Sequence, residues 1–414
     1  MKKNIIQYII VFLALIAFFF SFSVISSIWP DQIIKRNISK AALEFNEAGL
    51  YPNAMINVTP CRMDNFTETI VLNQIFCIDR SKPLRSAMGV YRGYKDPWYD
   101  TPGALLSVTR YETGIIPLAY PRYWHGNTFL FRILFSIMDY HHIQWMMFAI
   151  TTLLIVIFIC AYYPLAGIWK TLAFILSWTL VYGFIMPFSI QFFPSIAMAL
   201  IASILIVQHE GTPAYISLLF FITACCTNYF DLFTIPLLTF GLPLIAWLSI
   251  QDNQSIQLKA TTGQITQWGI LWVIGYGLTF LSKWVLASLV LKENILKDGF
   301  GQSFYRMNAD GLSRWDAVGK NLDMLPWIWV CAALILFLIV SVLHFQRKGG
   351  LKALYFLLIA SLPYLWYLVV SNHSELHFWF TYRLQFITLS SLFMALLSFS
   401  SEKGSSKLNY RKRG

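Results

Sequence analysis

The feature that most constrains this chain is a series of apolar runs that recur from the N-terminus to about residue 399. A helix of about 20 apolar residues is long enough to cross a hydrocarbon core of roughly 30 Å. Backbone polar groups must be paired within the segment when lipid surrounds it, so such runs are expected to be helical. The sequence therefore predicts an all-α polytopic membrane protein, with residues 1–414 forming a single transmembrane domain.

Ten runs have the length and composition of a membrane span, so we expect about ten transmembrane helices. The run at residues 5–29 follows two lysines and is too long for the apolar part of a signal peptide, which predicts a retained first helix. The other nine runs cover about 144–163, 166–186, 188–207, 213–229, 231–250, 266–291, 326–345, 352–371 and 378–399.

The charged residues indicate the orientation. Only 12% of the residues are charged, about half of the share usual in soluble domains. The formal net charge of +11 comes largely from basic residues that flank apolar runs, as the positive-inside rule requires, and no basic stripe or motif for nucleic acid is present. We expect an integral plasma-membrane protein whose N-terminus and basic tail, residues 400–414, are cytoplasmic. Segments 30–143 and 292–325 are then the first and second extracytoplasmic loops.

The first of these loops has structure of its own. Residues 31–50 and 63–78 place apolar and charged positions at helical spacing, which is typical of amphipathic helices at a membrane surface. The loop also contains Cys61 and Cys77. Outside the cytoplasm these could form a disulfide, and the alternative is two unpaired thiols.

Polar side chains cluster on the predicted outer side. Because polar groups at membrane depth cost free energy, such a cluster indicates a functional role. This predicts a site that opens to the outside. The candidate catalytic residues are Asp64 and Glu68, and the candidate substrate-binding residues are Trp124, His125, Asp231, Lys283, His377, Tyr382 and Arg383. No metal-ligating set stands out.

The residue types indicate a chemistry. A carboxylate above the bilayer can act as a general base on a hydroxyl. The guanidinium of Arg383 suits a bidentate contact with phosphate, Lys283 could add a point charge, and aromatic rings such as that of Trp124 could stack on sugars. Amphipathic helices could cradle a polyprenyl tail.

Each candidate also has a structural alternative. Asp64 stands where a helix N-cap is expected, with Glu68 on a solvated helix face, and Asp231 could cap the following span. Arg383 and Lys283 could reach the interface with their charged ends, and the histidines could simply be hydrogen-bonded.

The plan of the whole chain resembles the GT-C glycosyltransferases, through its long first outer loop with interfacial helices, an acidic residue in that loop, and a second outer loop between the seventh and eighth spans. These are integral membrane enzymes that use polyprenyl-phosphate or polyprenyl-diphosphate sugars. Where that family often has paired acidic residues, Asp64 and Glu68 are four residues apart. Blocks such as 64–68, 123–126, 230–234 and 377–383 also look like those of uncharacterised bacterial envelope-polysaccharide membrane proteins.

The resemblance implies a glycosyltransferase that moves a sugar from a polyprenyl-phosphate donor to an extracytoplasmic glycan or lipid acceptor. Asp64 would be the general base, and Arg383, with Lys283 or His377, would hold the donor phosphate. No cofactor is indicated, and a divalent metal is left open. The alternatives are a transporter or flippase of lipid-linked saccharides, and a non-catalytic partner of envelope enzymes.

Overall fold

The computed structural model describes residues 2–56, 58–209, 212–308 and 313–400, and the predicted basic tail lies almost wholly outside them. The first half of the described chain contains α1 (Lys2–Ile28), α2 (Gln32–Ala48), α3 (Asn65–Phe76), α4 (Pro83–Gly89), β1 (Arg92–Tyr94), α5 (Thr101–Thr109), β2 (Ile116–Leu118), α6 (Gly126–Phe135), α7 (Tyr140–Ala166), α8 (Ile168–Leu180) and α9 (Phe193–Gln208). The second half contains α10 (Pro213–Phe230), α11 (Leu238–Ile250), α12 (Leu258–Leu291), α13 (Ile295–Met307), α14 (Arg314–Asp323), α15 (Trp327–Leu343), α16 (Gly350–Ala360), α17 (Leu362–Val369), α18 (Ser371–Leu376), α19 (Phe378–Thr381) and α20 (Gln385–Leu397).

The prediction of a helical multi-pass membrane protein is confirmed, but the prediction of ten spans is wrong. Six segments of the described chain are long and apolar enough to cross a membrane, and a seventh is gained if α14 and α15, which meet at a bend of 79°, form one span. The six are Ile5–Ile28, Tyr140–Ala166, Pro213–Phe230, Leu258–Leu291, Gly350–Val369 and Phe378–Leu397.

The predicted number of spans is too high because three apolar helices, α8, α9 and α11, are shorter than a membrane span. The run predicted at 166–186 ends as a helix at Leu180 and continues as a 3-10 turn over Gly183–Phe188. The run predicted at 231–250 becomes helical only at Leu238. Helices α9 and α11 are buried along most of their length. Hydropathy alone does not separate a core helix that is surrounded by protein from a helix that is surrounded by lipid.

Segment 30–143 folds as a layer against one end of the bundle. Helix α2 confirms the predicted amphipathic pattern, because Ile34, Ile38 and Phe45 are buried on one face. The second predicted helix, α3, is instead buried on nearly all sides. Strands β1 and β2 pair antiparallel and complete the layer.

Arg132 on α6 joins this layer to the first span. Its guanidinium donates to the carbonyls of Ser26 (2.9 Å), Ile75 (2.9 Å) and Trp29 (3.1 Å), and the side chain is fully buried. Burial lowers the pKa of Arg132 to about 10. Carbonyls at the C-terminal ends of α1 and α3 and just beyond α1 thereby receive hydrogen bonds from a cation.

At the opposite end of the bundle, two side chains donate to backbone carbonyls of neighbouring elements. Lys352 donates to the carbonyls of Ser249 (3.0 Å) and Gln251 (2.5 Å). Asn253 donates to the carbonyls of Lys348 and Ser398. These contacts bring the ends of α11 and α20 against the start of α16. Which end of the bundle faces the cytoplasm stays a prediction.

The crossing of α10 and α12 provides a test of the packing. A Cβ at Gly275 would lie 2.8 Å from the carbonyl oxygen of Phe221, whereas a Cβ at Gly277 would meet nothing within 4 Å. We expect Gly275→Ala to cost about 1–3 kcal/mol because a backbone atom blocks the methyl group. Gly277→Ala, the matched control, should be neutral or slightly stabilising. Thermal unfolding of both variants in detergent would measure this, and equal midpoints would contradict the crossing.

Candidate functional site

Asp64 is the N-cap of α3, so the structural alternative for this residue is confirmed. Its Oδ1 accepts from the backbone N–H of Thr67 at 3.2 Å, and its Oδ2 accepts from Thr67 Oγ1 at 2.7 Å and from Gln191 Nε2 at 2.8 Å. The carboxyl group is buried, and burial raises its pKa although these hydrogen bonds oppose the shift. Capping does not exclude a second role, and catalysis by Asp64 stays a prediction.

Glu68 lies one turn further along α3 and is also buried. It accepts hydrogen bonds from Tyr140 OH (2.8 Å), Ser189 Oγ (2.5 Å) and the backbone N–H of Gln191 (3.3 Å). Burial raises its pKa to about 7, although the hydrogen bonds oppose the shift. The expectation of a solvated helix face is therefore wrong at this position. Glu68 fastens α3 to α7 and to the turn that precedes α9.

Gln191 connects the first loop to the next part of the site, and the sequence analysis missed it. Its Nε2 donates to Asp64, and its Oε1 accepts from Thr234 Oγ1 at 3.3 Å. The residue lies in the middle of an apolar run between Pro187 and Pro194. A buried amide between two prolines is the signal that could have marked it, because such an amide needs polar partners.

Asp231 directly follows α10, and hydrogen bonds among the described residues use one of its two carboxylate oxygens. Its Oδ1 accepts from Ser195 Oγ (3.1 Å) and from the backbone N–H of Ile235 (3.2 Å). Its Oδ2 is buried and has no hydrogen-bond partner among the described residues. Burial raises the pKa of Asp231 to about 7, against the hydrogen bonds. The hydrogen bond to Ile235 shapes the non-helical turn 231–237, which Gln191 contacts from the other side through Thr234.

Arg383 is buried beside Asp64. Its Nη2 donates to the carbonyl of Arg62 at 3.1 Å, and its guanidinium carbon lies 4.8 Å from the centre of the Phe192 ring. Only 2% of the residue is exposed, so the alternative of a side chain that reaches out to the interface is wrong. Within the described ranges it has no carboxylate in ion-pair distance, and its charge acts on Asp64 to lower that pKa. Its Nε also lacks a hydrogen-bond partner there.

Tyr382 holds the backbone around Arg383. Its hydroxyl donates to the carbonyls of Pro60 (2.9 Å) and Val181 (3.3 Å), which ties the loop before α3 to the end of α8. The thiol of Cys61 lies close to this phenol. Cys61 and Cys77 are both free thiols, so the structure has the second of the two arrangements considered for them.

Three other candidates, Trp124, His125 and Lys283, form a separate junction. Lys283 is fully buried, donates to the carbonyl of Ala87 at 3.1 Å, and lies 5.5 Å from the Trp124 ring. Trp124 donates to the carbonyl of Thr279 at 2.8 Å, and His125 contacts the carbonyl of Tyr120 at 3.0 Å. Burial and the charge of Lys283 lower the pKa of His125 to about 3, so its ring is neutral. This junction attaches the first loop to α12.

His377 belongs to a third group, beneath α13. Its ring lies 4.8 Å from the ring of His373, whose Nδ1 accepts from Arg306 at 3.3 Å. Burial, with a smaller effect of Arg306, lowers the pKa of His377 to about 4. Arg306 was missed by the sequence analysis, since one arginine in a polar loop carries no signal. Only the fold brings it to the candidate histidine.

An apolar groove of about 470 Å³ lies between α8 and α15. Tyr182, one of its lining residues, interacts electrostatically with Cys61 and Tyr382. Arg383 also interacts electrostatically with Cys61, so Cys61 links the groove to Arg383. The other lining residues are Met55, Leu176, Thr179, Leu180, Phe184, Pro326, Trp329, Ala332, Ala333 and Leu336.

Comparisons of the chain with known protein families, curated proteins and solved structures found no match. Within the described residues, no group of three or more His, Cys, Asp or Glu side chains is placed to hold a metal ion, so no ligand set is assigned for the divalent metal that was left open. The site is therefore defined by its own geometry: Asp64, Gln191 and Arg383 beside an apolar groove, with Asp231 across a short turn.

The raised pKa of Glu68 predicts a pH effect on stability. The folded state keeps a proton on this carboxyl group up to about pH 7, above the ordinary value of 4.5 for glutamate. The stabilisation is therefore present below pH 4.5 and is lost as pH rises through 7, by an amount on the order of 3 kcal/mol. Glu68→Gln should flatten the fall of the unfolding midpoint between pH 5 and 8, while Glu47→Gln on the exposed face of α2 should not. Parallel profiles would contradict the assignment.

Proposed function

We propose that the chain is a glycosyltransferase that uses a polyprenyl-phosphate sugar as donor and a glycan or lipid hydroxyl as acceptor, on the extracytoplasmic side of the plasma membrane. The observation that carries this proposal is the position of Arg383. Within the described residues this buried guanidinium has no carboxylate in ion-pair distance, and it interacts with Cys61, as does Tyr182, which lines the apolar groove between α8 and α15. A lipid-linked phosphate has an apolar chain that would fit the groove and a phosphate group that would bind the guanidinium.

The groove supports a chain-like occupant. Its walls come from α8, α15 and the 3-10 turn after α8, and they are almost entirely apolar. An isoprenoid chain in this groove would place its phosphate near Tyr182 and Arg383. Arginine binds phosphate with two parallel hydrogen bonds, and Arg383 uses its Nη2 on one carbonyl while its Nε has no partner among the described residues.

In the proposed reaction, the acceptor hydroxyl oxygen attacks the anomeric carbon of the donor sugar. The bond between that carbon and the phosphate oxygen breaks, and the phosphate leaves with the electron pair. Asp64 takes the hydroxyl proton. Its Oδ1 has a single hydrogen bond of 3.2 Å, and burial raises its pKa toward the range that a general base needs. Arg383 stabilises the charge that develops on the phosphate.

A transporter or flippase of lipid-linked saccharides would also need a cation beside an apolar groove. It would further need a polar path toward the other end of the bundle. At that end Lys352 and Asn253 donate to backbone carbonyls and connect the ends of neighbouring helices. The enzyme proposal differs in a measurable way, because only an enzyme releases free polyprenyl phosphate together with a glycosylated acceptor.

The role of Asp64 can be separated from its role as a cap. Asparagine caps helices about as well as aspartate, so Asp64→Asn should fold normally but lower transfer by about 100-fold or more because the proton acceptor is lost. Asp139→Asn is the matched control, since Asp139 is the N-cap of α7 and accepts from the backbone N–H of His142. Transfer is measured as labelled sugar moved from a polyprenyl-phosphate donor by purified protein in nanodiscs. Full activity of Asp64→Asn would refute its role as base.

The groove can be tested independently of catalysis. Ala332→Trp would fill part of the groove and should weaken binding of a photoreactive polyprenyl monophosphate by at least about tenfold. Leu338→Trp places the same ring on the same helix outside the groove, where Leu338 is 50% exposed, and should leave binding unchanged. Equal labelling of both variants would show that the lipid binds elsewhere. Labelling by a phospholipid probe of equal strength would identify an ordinary membrane lipid as the occupant.

A further inference from the structure

The region under α13 contains several buried polar atoms that lack partners. Asp231 Oδ2, Tyr276 OH and His377 Nδ1 are buried, and none has a hydrogen-bond partner among the described residues. Leaving a buried polar group unpaired costs about 1–3 kcal/mol, so native structures contain few of them. Tyr276 interacts electrostatically with Asp231 and Arg306, and His377 with Arg306. The three groups therefore lie in the same region of the fold as Arg306.

Arg306 reaches this place from α13. Its guanidinium carbon lies 5.1 Å from the centre of the Phe233 ring and 5.4 Å from the centre of the Tyr123 ring. One of its nitrogens donates to His373 Nδ1, and His373 Nε2 contacts the carbonyl of Phe233 at 3.0 Å. Within the described ranges no carboxylate forms an ion pair with Arg306, and the hydrogen bond that its side chain makes there is the one to His373.

The position of α13 is held by contacts that do not involve Arg306. Asn372 donates to the carbonyl of Tyr305 at 2.9 Å, and Ser371 donates to the carbonyl of Met307 at 3.3 Å. At the other end of the helix, Gly299 packs directly on the Trp284 ring. The last carbonyls of α13 are thereby paired, and the guanidinium is presented from a fixed helix.

The combination of groups selects a chemical class of ligand. The carboxyl group of Asp231 lies in the same cluster as the cation of Arg306, so an anionic ligand would meet a carboxyl group as well as the guanidinium. The rings of Tyr123 and Phe233 provide apolar faces, while a carboxyl oxygen, a phenol, an imidazole and a guanidinium provide hydrogen bonds in several directions. A pyranose ring has apolar C–H faces and a rim of hydroxyl groups that match both.

We propose that Asp231, Arg306, Tyr123, Tyr276 and His377 form a binding site for a neutral saccharide ring, in which a sugar hydroxyl donates to Asp231 Oδ2. Saccharide binding at this site does not require that the protein is an enzyme. Its assignment to a sugar that takes part in transfer rests on the proposed function, and is supported by the contact of turn 231–237 with Gln191, which also binds Asp64.

The test uses a panel of neutral methyl glycosides with gluco, galacto, manno and N-acetylgluco configurations. Binding to the full-length protein in nanodiscs is followed by saturation-transfer-difference NMR. At least one glycoside should bind, and both Arg306→Gln and Asp231→Asn should weaken its binding by about tenfold or more. Lys297→Gln is the matched control, because it removes the same charge from an exposed position of α13.

The outcomes separate this site from the proposed reaction. Absence of binding by every neutral glycoside would overturn the site, and so would binding that both variants leave unchanged. Binding of glucuronate or inorganic phosphate in place of the neutral sugars, lost in Arg306→Gln, would also overturn it by identifying an anion site. Saccharide binding with the expected variant effects but without any sugar transfer would support the site while refuting the proposed enzyme.

Discussion

The structure depends on how it accommodates buried cations, and Arg132 is the clearest case. Three donors of one guanidinium satisfy carbonyls at the ends of α1 and α3, so a charge that would be costly in an apolar interior becomes the joint between the first span and the first loop. Helix α3 is fixed by this contact at its C-terminal end, and at its N-terminal end Asp64 accepts from Gln191, which also contacts turn 231–237. The placement of Asp64 and Glu68 follows from that geometry.

The same solution recurs at other buried cations. Lys283 donates to the carbonyl of Ala87, Lys352 to the carbonyls of Ser249 and Gln251, and Arg383 to the carbonyl of Arg62. The buried carboxyl groups of α3 accept instead from hydroxyl, amide and backbone N–H groups. Within the described residues, Arg132, Lys283 and Arg383 thus form no ion pair with the carboxyl groups of α3. Under the proposed function, the cation of Arg383 and the carboxyl group of Asp64 are then both available to substrates that carry a phosphate and a hydroxyl.

The sequence predicted the class of fold and the Asp64 cap, because both depend on local patterns. Apolar runs determine that the chain is a helical membrane protein, whereas the number of spans depends on whether α9 and α11 meet lipid or protein, which hydropathy does not encode. Gln191 and Arg306 were missed for a related reason. Each is a single polar residue whose partners lie 40 or more positions away in the chain, so its importance exists only in three dimensions.

Turn 231–237 is the element that joins the parts of the candidate site. On one side Thr234 donates to Gln191, and on the other side the carbonyl of Phe233 is contacted by His373 while its ring lies beside Arg306. Phe233 has a φ of 69°, a left-handed conformation that a bulky residue rarely adopts. Such strain persists only where surrounding contacts impose it, and it is concentrated at functional sites. In this conformation the carbonyl of Phe233 faces His373 and its ring lies beside Arg306. Turn 231–237 therefore contacts both the group that contains Gln191 and the group that contains Arg306.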